Sequence, residues 1–142
     1  MQFSPESESD GTRRFMHLHP VLSMLRGGNK VFVIDEIERS LHSQLTRYFI
    51  ELALGDSLLS PNSQLLFTTH DTNLIDTDLL RTDEIWFVEK DKGGASHLSA
   101  LVEFKYPEGI DIEQGYLIGR FGALPFLGNP RKLKNVAVQG EK

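Results

Sequence analysis

Val31-Phe32-Val33-Ile34-Asp35-Glu36 is the stretch on which the reading of this chain turns. Four consecutive apolar residues, mostly β-branched, predict a short strand buried on both faces, as in a parallel sheet. Two carboxylates follow at once and fall at or just past the strand's C-terminal end. Ligands of open α/β sheets bind at that edge. Adjacent acids delivered there suit a magnesium ion and an attacking water. The same six residues also read as a hydrophobic strand ending in two solvated acids. The stretches on either side bear on the choice.

Working back toward the N-terminus, Gly27-Gly28 close an amphipathic helix. Phe15, Leu18, Val21, Leu22 and Leu25 recur there at three- and four-residue spacing. Pro20 lies inside that pattern and is expected to kink the helix or split it. Before it comes the polar turn Ser9-Asp10-Gly11-Thr12, and residues 1–10 form a polar, acidic lead-in. A Ser- and Gly-containing turn at a helix start presents free N–H groups and a positive dipole end, both suited to phosphate. Ser9, Asp10 or Thr12 acting simply as a helix cap accounts for the same residues.

Working forward, Ile37 to His42 lead into a second helix from about Ser43 to Leu54. Leu45, Tyr48, Phe49, Leu52 and Ala53 are expected on its inner face, and Gly55 stops it. Residues 56–63 read as a loop. Gln64-Leu65-Leu66-Phe67-Thr68-Thr69 is a second strand ending on His70-Asp71, so His70 should face the same sheet edge as the paired acids. Asp76 to Arg81 read as a short turn or loop. Glu84–Glu89 and His97–Phe104 are two strands joined by the tight turn Asp91-Lys92-Gly93-Gly94, expected as a hairpin at the sheet edge. A short helix near Ile112–Ile118, a glycine-punctuated apolar loop over 119–128 and a basic tail over 129–142 complete the chain.

Composition narrows the classes. The chain has 142 residues, 39% hydrophobic and 25% charged, enough for one globular domain with a real core. A net charge of −5 argues against a surface coated for nucleic acid, while leaving room for a local basic patch. The absence of cysteine removes disulfides and Cys-based zinc sites. No apolar run approaches a membrane span, and no signal-peptide pattern opens the chain, so the default compartment is cytoplasmic.

Taken in order, Ser9-Asp10-Gly11-Thr12, Val31–Glu36, Ser40-Leu41-His42 and Thr68-Thr69-His70-Asp71 resemble an ABC-type ATPase head. More narrowly, the chain resembles the AAA-family ATPases of the ABC-like branch found in bacterial defence and DNA maintenance. The run Gly115 to Pro125 resembles the end of that group, so the likeness spans roughly residues 8–128. It implies an α/β fold of the P-loop NTPase type, with a mainly parallel sheet, flanking helices and an edge hairpin, forming the C-terminal portion of such a head. It implies ATP and Mg2+ as cofactors. Asp35 would hold the metal as in a Walker B motif, Glu36 would be the general base, and His70 would be the switch histidine at the γ-phosphate. Ser9, Gly11 and Thr12 would form the signature turn that clamps ATP held by the opposite subunit. Ser40 and His42 would lie in the loop crossing the dimer interface, where His42 replaces the usual Asp.

The sequence contains no Gly-x-x-x-x-Gly-Lys-Ser/Thr phosphate loop, and Gly27-Gly28-Asn29-Lys30 has neither its spacing nor its context. The expected protein is therefore the C-terminal part of an ATPase, as a fragment or one piece of a split gene. It would be inactive alone and partnered by the half carrying the phosphate loop and by a second head. Two other classes compete. One is a non-catalytic docking or regulatory piece of an ATPase. The other is a metal-dependent nuclease using Glu36 with Asp76 and Asp78. His17 and His19 invite a metal reading, yet alternate helix positions point apart and a solvated pair fits them better. A nuclease, a DNA-bound machine and a defence effector are the alternatives for what such an ATPase drives.

Overall fold

The computed structural model describes residues 7–55, 60, 62–107 and 109–122. These form two compact units divided after Leu80. The loop over 123–128 and the basic tail expected at 129–142 lie outside the described residues, as do residues 1–6 of the lead-in and most of the 56–63 loop.

The first unit runs α1 (Asp10–Arg26), β1 (Val31–Ile34), α2 (Ser43–Leu54), β2 (Gln64–Phe67) and a 3-10 turn at Thr72–Leu74. Ser9 caps α1 by accepting the Thr12 N–H, and Gly27 closes it with its own N–H on Met24 O. The helix runs through Pro20 without splitting. The prolyl nitrogen removes only the hydrogen bond to the Met16 carbonyl, and Met16 is 52% exposed, so water can replace that donor. The turn into β1 puts Gly28 at φ 78° and Asn29 at φ 57°, left-handed conformations that glycine and asparagine adopt at least cost.

Strands β1 and β2 pair in parallel, with Val31 opposite Gln64 and Ile34 opposite Phe67. The expectation that β1 is buried on both faces does not hold. Phe32, Ile34, Leu65 and Phe67 pack against the core, but Val31, Val33 and Leu66 on the other face are exposed. A two-stranded sheet with helices on one side covers only that side. The core joins Leu18, Leu22 and Leu25 of α1 to Phe49, Ile50 and Ala53 of α2, with Ile37 and Leu74 between the elements. Each large side chain fully buried there contributes about 1.5–3 kcal/mol.

The inner face of α2 is Thr46, Phe49, Ile50 and Ala53, a stripe at helical spacing. Leu45 and Tyr48, expected inside, are exposed. The apolar content of α2 extends nearly round the helix, so periodicity placed the stripe one position off. Gly55 stops the helix as expected, donating its N–H to Glu51 O. Arg47 on its flank joins Glu51 at 2.9 Å and Asp76 at 2.6 Å, tying the turn after β2 to the helix.

The second unit holds β3 (Trp86–Lys90), β4 (Ser96–Ala100), a 3-10 turn at Leu101–Glu103 and α3 (Ile112–Leu117). The hairpin is as expected, with Asp91 to Gly94 as its turn, but it forms a separate two-stranded sheet rather than the edge of the first. Strand β4 also stops at Ala100 instead of continuing to Phe104, because the chain turns into the 3-10 segment while Leu101 N bonds Ile85 O. Phe87 stacks on Phe121 and Tyr116 at ring centroid separations of 5.3 and 5.5 Å, with Phe104 edge-on to Phe87. Such aromatic pairs add about 0.5–1.5 kcal/mol each beyond their area. Among the described residues no helix is long and apolar enough to cross a membrane.

Candidate functional site at the ends of the parallel strands

Parallel pairing makes β1 and β2 end at the same edge, so the residues after Ile34 and after Phe67 emerge side by side. The backbone keeps them together for one more step: Thr68 N donates to Ile34 O and Ile37 N donates to Thr68 O, both at 3.0 Å. The Thr68 hydroxyl completes the link. It donates to Asp35 Oδ1 at 2.5 Å and accepts the Glu36 N–H at 2.9 Å. Glu36 itself sits at φ 48°, a left-handed backbone that costs a non-glycine residue about 1–2 kcal/mol. That turn carries its carboxylate toward His70, whose Nε2 lies 4.0 Å from Glu36 Oε1. The gap exceeds a hydrogen bond, and the two side chains are 47% and 87% exposed, so the pair faces an open rim.

Glu38 is a further member of this group. Its Oε1 accepts the His70 N–H at 2.9 Å, while its Oε2 is cut off from water with no hydrogen-bond partner. Burial alone would push this carboxyl up. Hydrogen bonds from the His70 N–H, its own N–H and the Thr69 hydroxyl, together with the His70 ring, outweigh burial and hold it below the usual range. Asp71 behaves alike. Burial pushes it up, and hydrogen bonds from the Ser43 hydroxyl and the Asn73 side-chain and backbone amides more than reverse that. Asp71 thereby bridges the end of β2 to the start of α2 and caps the Thr72–Leu74 turn.

The other candidate residues gather at the start of α1 and in the loop before α2. Ser9 Oγ accepts the Thr12 N–H at 3.1 Å and shares a hydrogen bond with Thr12 Oγ1 at 2.9 Å, so the capping role is real. Asp10 pairs with Arg13 on the same turn. Gly11 lies against the backbone of Ser40: a Cβ at Gly11 would stand 2.8 Å from Ser40 O. Ser40 takes φ 64°. The turn at 9–12 and the loop at 40–42 are thus neighbours, and only glycine permits the approach. His42 serves as N-cap of α2, its Nδ1 accepting the Gln44 N–H at 3.2 Å.

The donor set fits one metal better than others. Among the described residues no group of three His, Cys, Asp or Glu side chains could hold an ion. Magnesium does not need such a cage; one or two carboxylates, waters and ligand phosphates suffice. Asp35, fixed through one oxygen by Thr68, meets that requirement. The three-carboxylate nuclease arrangement does not form: Asp76 is engaged by Arg47 and by the Asp78 N–H. His17 and His19 are both exposed, in no metal-holding group.

Residue patterns pointed to Asp35, Glu36 and His70 and missed Thr68 and Glu38. The signal for these two was present in Thr68-Thr69 before His70 and in Glu38 two positions after Glu36, but their roles depend on pairs 32 and 33 residues apart.

A family model described as "AAA domain, putative AbiEii toxin, Type IV TA system" matches residues 2–76, just over half of the chain. No curated protein matches the chain. The matched span contains the whole group from Ser9 to His70, with both parallel strands. By that match the chain belongs to this family of AAA domains, a nucleotide-binding, ATPase class.

Proposed function

We propose that the chain supplies the hydrolytic edge of an ABC-like ATPase head, and that two heads pair around nucleotide. The observation that carries this reading is the convergence of Asp35, Glu36 and His70 at one end of a parallel strand pair, with Glu36 and His70 4.0 Å apart. In such a head ATP brings the transferable phosphoryl group and Mg2+ neutralises its charge. Asp35, oriented by Thr68, would hold that metal. Glu36 accepts the proton of the attacking water, and its left-handed backbone aims it at the rim. His70 presents an imidazole nitrogen to the γ-phosphate. Ser9, Gly11 and Thr12 turn toward nucleotide held by the opposite head, and Ser40 and His42 carry the loop between heads.

The residues fit the γ-phosphate end of a nucleotide and not its α- and β-phosphate cradle, since the sequence has no phosphate loop. A phosphate-loop segment from elsewhere completes the site. The same absence favours a second reading, a non-catalytic docking or regulatory piece. Calorimetry with Mg-ATP and a phosphate-release assay separate the two, run on the chain alone and with a segment encoded upstream that carries a phosphate loop. Negligible turnover alone and restored turnover in combination support the ATPase reading. Turnover in no combination overturns it, and turnover by the chain alone overturns the need for a separate phosphate-loop segment.

A further inference from the structure

His70 has a ring that is 87% exposed and a backbone N–H that donates to Glu38 Oε1. The ring has no packing to fix it, and Glu36 at 4.0 Å is too far for a hydrogen bond. Its placement is therefore inherited from the main chain. That main chain is anchored by Glu38, whose Oε1 accepts the His70 N–H at 2.9 Å from the opposite strand's exit loop. The second carboxylate oxygen of Glu38 is shielded from water, and hydrogen bonds from the His70 N–H, its own N–H and the Thr69 hydroxyl more than offset that burial, so the carboxylate is held in place rather than loose on the rim. Glu38 and Thr68 make complementary ties. Thr68 fixes the acids of the β1 exit to the end of β2, and Glu38 fixes the histidine of the β2 exit to the loop after β1.

We infer that Glu38 is a positioning residue that clamps the His70 backbone so that the imidazole stands beside Glu36. Its catalytic meaning rests on the ATPase reading above; the clamp itself does not. Glu38 touches no reacting atom in that scheme and acts only through His70.

Two measurements test this. In 1H–15N spectra of the full chain, Glu38→Ala shifts the His70 amide proton upfield and lowers its heteronuclear NOE, while the Ile37 and Thr68 amides keep their positions. Glu38→Gln, isosteric and still an acceptor but uncharged, falls between, and it carries the test if the alanine variant fails to fold. In the reconstituted head with Mg-ATP, Glu38→Ala lowers kcat on the order of tenfold with little change in KM, as expected for loss of a charge-assisted hydrogen bond that orients one group. In a His70→Ala background the same substitution has no further effect on kcat, because two residues acting as one unit are not additive. A His70 amide that ignores Glu38→Ala overturns the clamp, and a full additive loss in the His70→Ala background overturns action through His70. A wild-type head that hydrolyses nothing removes the ATPase reading and the catalytic role, while the amide shift still decides the clamp.

Discussion

Replacing Thr68 by valine removes one hydroxyl and leaves shape and β-branching unchanged. The Thr68 main chain is held at both its N–H and its carbonyl, so the side chain stays in place and two hydrogen bonds disappear together. One is charge-assisted, to Asp35, and one is a neutral bond from the Glu36 N–H. In a buried site they would sum to about 2–4 kcal/mol, but this rim is open and water replaces part of each, leaving about 1–2 kcal/mol. The left-handed turn at Glu36 loses its tie as well, so the carboxylate is freer to leave the His70 side. Urea or thermal unfolding checks the first effect. A loss of about 1–2 kcal/mol corresponds to a melting point lower by several degrees for a domain of this size. Thr68→Ser keeps the hydroxyl and should recover most of that loss. Unchanged stability in Thr68→Val, or equal losses in the valine and serine variants, would show that the hydroxyl is not what joins the two strand ends.

In a reconstituted head, Glu36→Gln should lower turnover by about two to four orders of magnitude while ATP binding persists, because an amide cannot take the proton of water. Near-normal phosphate release would remove Glu36 from the role of base. Ser9→Arg should cost on the order of 1 kcal/mol from the lost cap. Mixed with heads whose phosphate loop is disabled, it should restore a fraction of activity, because one composite site is then intact; undiminished turnover of the Ser9→Arg homodimer would take residues 9–12 out of the site. The Asp78 N–H and then Arg47 hold Asp76 below its ordinary value of 3.8. Its stabilisation is therefore complete above that value and fades as pH falls through the lower folded value. Asp76→Asn should flatten the decline of melting temperature below about pH 4, at a neutral-pH cost under about 1 kcal/mol for so accessible a pair. An unaltered acid profile would discount the pair.

Much of the first unit was legible because it is written locally. Gly55 and the Gly27-Gly28 pair marked helix ends, and His70 followed an apolar run just as Asp35 and Glu36 did. Burial was less legible. A run such as Val31-Phe32-Val33-Ile34 has no alternation to say which face is wet, and the thin sheet leaves Val31 and Val33 at 62% and 71% exposure. Leu45 and Tyr48 were misplaced for the same reason, since an apolar residue beside a stripe looks like part of it. The hairpin was recognisable from its turn, but no local signal says which sheet a hairpin joins. Thr68 and Glu38 were hidden because their partners are remote in sequence. The parallel pairing that brings those partners close joins residues some 33 positions apart, which no local stretch specifies.

The wet apolar face of the β1–β2 pair has a practical consequence for anyone who purifies this chain. Val31, Val33 and Leu66 form a strip of oil on a flat backbone surface, and a parallel pair normally carries cover on both sides. Thermal stability and colloidal behaviour should then diverge: the protein can melt cooperatively at a respectable temperature and still bind hydrophobic dyes in its native state, or lose solubility as it is concentrated. A charged residue at Val33, whose side chain already meets water, should relieve that behaviour with little effect on the melting curve.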